Sequence, residues 1–179
     1  MSRSLAAGLA LLAGAVLPGA TPAMADPEAV FFQSVSGRWV GPGEIVAGKY
    51  KGTRFTCDLA GGSSAAPDVG LSLDGACRVG LFAQPMSASI SRREGRFTGA
   101  FLDGAAGAGL DITSGVLDGD KMVFALDRKQ LNGAMVARLA GGDTLAVTVS
   151  VQVGTELVPV IGMNLKRSGP AVRQTSLGN

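Results

Sequence analysis

Leu145-Ala146-Val147-Thr148-Val149-Ser150-Val151-Gln152-Val153 is the stretch whose reading decides the fold. Its large apolar residues occupy every second position, and a period of two is that of a strand with one face buried. The same period recurs upstream. Met122, Phe124 and Leu126 alternate with Val123, Ala125 and Asp127, and Phe97, Gly99 and Phe101 alternate with Arg96, Thr98 and Ala100. Asp103-Gly104, Asp118-Gly119, Asn132-Gly133 and Gly141-Gly142 separate such runs as turn dipeptides, and Asp74-Gly75 reads as a turn or a bulge. The expected fold is all-β, an antiparallel meander of about 8–10 strands closing into a barrel, with a β-sandwich as the alternative.

Towards the N-terminus the period changes. Asp26-Pro27-Glu28 has the acid and early proline of a helix start, and Val30, Phe31 and Val35 keep helical spacing until Gly37. A short N-terminal helix therefore precedes the strands. Gly41-Pro42-Gly43-Glu44 lacks the Gly-Lys-Ser/Thr ending of a phosphate loop and reads as a bend or bulge in the first strand. Gly61 to Asp68, made of Gly, Ser, Ala and Pro, reads as the longest loop.

Residues 1–25 have the pattern of a secretory leader. Arg3 is followed by an uncharged run from Leu5 to Leu17, then Pro18, and Ala23-Met24-Ala25 supplies the small residues a signal peptidase reads. That apolar run is too short to span a bilayer, which takes about 20 residues, so no transmembrane anchor is expected after cleavage. The expected division is a leader over 1–25, one barrel domain over 26–167 and a flexible polar tail over 168–179, in a periplasmic or secreted protein. In an exported chain the two cysteines, Cys57 and Cys77, are expected to pair, each lying on the apolar face of its strand.

Composition narrows the chemistry. The formal charge is +2, or +1 without Arg3, so nothing steers the protein towards nucleic acid. The chain contains no His, which removes Ser-His-Asp and Cys-His catalysis and His-based metal sites. Asp74, Asp103 and Asp118 each precede Gly, where a carboxylate shapes a turn rather than forming a catalytic pair. A non-enzymatic protein without cofactor or metal is expected. One Trp and one Tyr are too few for the aromatic girdles of an outer-membrane barrel. Arg92, Arg93 and Arg96 form a basic patch around Gly95 in a hairpin loop, where lipid phosphates or an acidic partner could meet it.

Ser36-Gly37-Arg38-Trp39-Val40-Gly41, after a short helix, resembles the opening of lipocalin-like barrels. There a Gly-x-Trp motif plugs the closed end, which implies that role for Trp39. The same motif, with Cys57-Asp58-Leu59 and Gly75-Ala76-Cys77, is also similar to small periplasmic barrel inhibitors of bacterial metalloproteases. Two binding roles follow for a monomer. In one, the barrel takes a small apolar or amphipathic ligand, with Trp39, Phe55, Phe97, Phe101, Met122 and Phe124 as candidate interior. In the other, surface and loops bind an envelope protein or polymer, as an inhibitor would.

Overall fold

In the computed structural model, which describes residues 24–64, 68–102, 110–128 and 131–169, the strands close into one antiparallel barrel. Helix α1 (Pro27–Val35) comes first, then β1 (Gly37–Ile45), β2 (Arg54–Ser64), β3 (Val69–Val79), β4 (Phe82–Arg93) and β5 (Arg96–Leu102). The chain continues as β6 (Leu110–Asp118), β7 (Lys121–Arg128), β8 (Leu131–Ala140), β9 (Thr144–Val153) and β10 (Glu156–Gly169). Each strand pairs with its sequence neighbours, and β1 pairs with β10 to seal the ring of ten. The barrel is thus the resolution of the barrel-or-sandwich alternative.

Alternation places the core. On β9, Leu145, Val147 and Val149 are buried inside while Thr144, Ala146, Thr148 and Ser150 line the outer face. On β7 the inner set is Met122, Phe124 and Leu126. An apolar interior under a Ser-, Thr- and charge-bearing exterior is the reverse of a membrane-spanning barrel, whose apolar band faces lipid.

The helix forms where the sequence places it. Asp26 caps it, its carboxylate accepting from the amides of Glu28 and Ala29, and Pro27 occupies the first turn, where no amide partner is lost. Ser36 ends it with extended backbone, and Phe31, Phe32 and Val35 turn into the barrel. Odd strands run away from this helix and even strands return to it, so one end is closed by α1. Among the described residues, no element closes the other end.

Four local expectations are corrected. Asp74-Gly75 lies inside β3, with unbroken register to both neighbours, and is neither turn nor bulge. Asn132-Gly133 lies inside β8, pairing Asp127 and Leu126, so the β7–β8 connection comes earlier. Both glycines point inward, and a Cβ at either would overlap a carbonyl oxygen of the adjacent strand, Asp58 or Ser150. They serve close strand approach, the glycine kink that lets a barrel wall curve. Gly41-Pro42-Gly43-Glu44 runs straight through β1 with unbroken pairing to β2, and the irregularity falls instead between Arg38 and Trp39. Gly61–Ser64 belongs to β2 rather than to a loop, and residues 65–67 of that stretch lie outside the described residues. β10 also extends to Gly169, past the expected domain end. The leader up to residue 23, Asp103-Gly104 and the tail beyond Gly169 lie outside the described residues as well.

Cys57 and Cys77 are bonded directly across β2 and β3, with Cα atoms 4.0 Å apart and both side chains inside. A disulfide fits an extracellular or periplasmic protein. No helix among the described residues is long and apolar enough to cross a membrane. The bridge closes a loop with a sequence separation of 20, which in the chain-entropy model stabilises by about 3 kcal/mol. Reduction, or the double change Cys57→Ala with Cys77→Ala, is expected to lower Tm by roughly 10 °C, read by calorimetry with and without reductant. An unchanged Tm would show that the bridge does not form.

Candidate functional site

The interior divides into a packed floor and an open upper half. At the floor a chain of edge-to-face rings runs from Phe31 to Phe32, Phe97 and Phe124, with centroids 6.3, 6.0 and 6.0 Å apart. Gly115 makes room for it, since a Cβ there would press on the rings of Phe97 and Phe124. Trp39 and Met122 are fully buried in the same layer.

The closed end is locked by one arginine. Arg167 lays its guanidinium over the Trp39 ring at 4.3 Å. Its three nitrogens donate to main-chain carbonyls: Nη1 to Ser36 at 2.7 Å, Nη2 to Ser34 at 2.6 Å and Nε to Gly142 at 3.0 Å. Trp39 in turn donates its indole N–H to the Val35 carbonyl at 2.7 Å. The orphan carbonyls at the helix C-terminus are thereby satisfied by a cation and an indole, as the helix dipole favours. Opposite them, Arg92 bridges to Asp26 and, at 2.6 Å, to Glu28, tying the helix N-terminus to β4. That pairing holds the Asp26 carboxyl below its ordinary range, the hydrogen bond from Arg92 being the main cause.

Above the floor the bore is not filled. An inner space of about 50 Å³ lies over Phe32, Phe124 and Leu145, and a second of about 250 Å³ opens towards solvent at the far end. Cys77, Met86, Phe101 and Met163 line both, so the two spaces adjoin. Phe55, Ile45, Val149 and Ile161 complete most of the upper wall, and Gln84 is its one uncharged polar side chain. The cause is geometric. Ring diameter grows with strand number, and about eight strands already bring inward side chains into contact across the axis. Ten strands leave a wider bore, which α1 fills from one end only.

The expected interior residues thus fall into two groups. Phe55, Phe101 and Phe124 line the open spaces; Trp39, Phe97 and Met122 lie in the packed floor and line neither. Val149, Ile161, Met163 and Met86 were not singled out as wall residues, although the alternation of β9 and β10 carries the signal for the first three. Arg167, the last residue of the expected domain, gave no local signal, because its partners on the helix come from the other end of the chain. The arginine patch is divided. Arg92 is held by the helix, Arg93 pairs with Asp68 at 3.0 Å, and Arg96 is exposed.

No protein-family model matches this chain, and no curated protein matches it. Among solved structures it is similar to the crystal structure of Rv2717c from M. tuberculosis, at 15% identity and a TM-score of 0.54, over 80% of this chain and 98% of that one. At such identity the likeness is one of fold alone.

Two predictions follow from the closed end. Arg167→Lys keeps the charge but loses the planar stack and at least one main-chain bond, and should cost about 2 kcal/mol. Because Trp39 is the sole tryptophan, its emission should shift to the red in that variant, and an unshifted spectrum would refute the lock. Asp26→Asn retains the N-cap acceptor and removes only the charge. With the folded pKa lowered from the ordinary 3.8, the charge stabilises above that value, and the contribution is lost as pH falls through the folded pKa. The unfolding free energy of Asp26→Asn, read from urea titration, should trail wild type by up to about 1 kcal/mol near neutrality and converge with it in acid.

Proposed function

We propose that this protein is a periplasmic or secreted binding protein that takes a small apolar or amphipathic ligand through the open end of a lipocalin-like barrel. The observation that carries the reading is the roughly 250 Å³ apolar space between Phe55, Phe101, Val149 and Met163, which adjoins the inner one. Small-molecule sites are concave, mostly apolar and furnished with few polar groups. Gln84 is a polar group on the wall of this space. The Gly37-x-Trp39 opening supports the same reading, since Trp39 lies beneath the floor and leaves the upper wall free for a ligand.

Affinity in such a site comes from apolar burial, at roughly 25 cal/mol per Å² removed from water, so ligands with a compact hydrocarbon body are favoured. A ligand must fit about 250 Å³, near the lower end of the range for small-molecule pockets, which favours a short chain or a small ring system.

Native mass spectrometry of the protein purified from the periplasm, before and after denaturation, tests this directly. An added mass released on denaturation is expected. Met86→Trp, which fills the junction of the two spaces, should cut occupancy at least about tenfold while Tm stays within a few degrees, because the added ring enters empty volume. A bare wild-type mass would transfer the function to a protein or polymer partner bound by surface and loops.

A further inference from the structure

Large apolar residues are not scattered evenly over the outside of this barrel. Most of the exposed ones, Tyr50, Leu81, Phe82, Leu102, Leu131, Val153 and Leu157, sit at the open end, while Met24, Val30 and Val116 lie towards the helix end. The closed end, by contrast, is dressed in ion pairs. Within the open rim, one arc is distinctive. The β1–β2 loop carries Tyr50 between Lys49 and Lys51, and the β3–β4 turn presents Leu81 and Phe82, 99% and 84% exposed, next to Arg78. The arc is continuous, because β2 pairs with β3 and brings Thr56 opposite Arg78.

Its charge is one-sided. Lys49, Lys51, Arg54 and Arg78 outnumber the carboxylates beside them, Glu44, which pairs with Arg54 at 3.6 Å, and Asp58, which is paired with Arg38 and feels the charge of Arg78. Lys49 lies over the Tyr50 ring at 5.4 Å, leaving its ammonium in solvent. An exposed Leu-Phe tip costs solubility in water unless it is covered part of the time. Gly80 turns the chain with φ of 57°, so Leu81 sits at the apex of a tight hairpin and Phe82 beside it opens β4 opposite Val79. A projecting apolar apex flanked by cations and a tyrosine matches the layering of a bilayer interface, with hydrocarbon below, aromatic rings at the headgroups and anionic phosphates around them.

We infer that the β1–β2 loop and the β3–β4 turn form a docking surface for an anionic lipid bilayer, which seats the protein with its barrel mouth against the membrane. Leu81 and Phe82 enter the acyl boundary, Tyr50 lies at headgroup depth, and Lys49, Lys51 and Arg78 meet lipid phosphates. The surface borders the cavity mouth, where Val79 pairs with Phe82, and docking requires no bound ligand.

The test is flotation of the full mature protein with vesicles of phosphatidylcholine containing phosphatidylglycerol, against phosphatidylcholine alone. Wild type is expected to float with the anionic vesicles, less so at high salt, and to stay behind with neutral ones. Leu81→Ser with Phe82→Ser should weaken partitioning at least about tenfold, and Lys49→Glu with Lys51→Glu should abolish the preference for anionic lipid. All four positions are solvent-exposed, so unchanged Trp39 emission and Tm will show that the variants fold. Wild type that fails to float, or a Leu81/Phe82 variant that floats as well as wild type, overturns the proposal. A concentration-dependent dimer in light scattering, converted to monomer by the same two changes, also overturns it and assigns the rim to a second copy of the chain. Because the vesicle assay runs without ligand, its failure leaves the native-mass result on the cavity untouched.

Discussion

Everything in this barrel depends on β1 finding β10. A ten-stranded meander left open would present two unpaired edges, and the two outermost strands must travel the length of the chain to remove them. Backbone pairing along Trp39–Val40 and Gly43–Ile45 makes the seam, but pairing alone does not select this closure over a slipped one. The pair that selects it is Trp39 with Arg167. They are register partners across the seam, and a slip by one residue would turn Arg167 away from the indole and out of reach of the Ser34 and Ser36 carbonyls. The bulge between Arg38 and Trp39 sits at that point, where a sheet edge must twist to meet its partner.

The helix is a consequence of the same lock. An isolated nine-residue helix is marginal in water, and α1 persists because both of its ends are held by arginines from distant strands. Phe31, Phe32 and Val35 then enter the bore and meet Phe97, which passes contact on to Phe124. Charge fixes the ends and aromatic burial fills the middle, so the floor is rigid for two independent reasons.

Much of this was legible in the sequence, and the exceptions share a cause. Alternation from Leu145 to Val153 was enough for an all-β fold, and Asp26-Pro27 for the start of the helix, since both signals are local. Asp74-Gly75 and Asn132-Gly133 misled because a glycine after an acid or amide looks the same in a turn as in a wall that bends inward; only the neighbouring strand's carbonyl distinguishes them. Arg167 and Arg92 were opaque for a related reason. Each reads as a surface cation until strands more than sixty residues away bring it against the helix. Of the expected interior, period two gave the correct face for Phe97 and Met122 but not their depth along the barrel axis, and depth is what separates the floor from the open wall.

Depth is also what gives the molecule its polarity. Inward residues at the helix end meet α1 and are packed, whereas those at the far end face a bore that ten strands make too wide to fill with side chains from the wall alone. Filling that space would require a second plug, and the rim leaves apolar side chains such as Leu81 and Phe82 exposed to solvent instead. A barrel under selection for stability alone would close this end as it closes the other, because an unfilled apolar space forfeits contact energy and exposed apolar tips favour association. Retaining both at one end, while the opposite end is held by buried rings and ion pairs, places the stability of the fold where nothing needs to enter and leaves the apolar surface where something can.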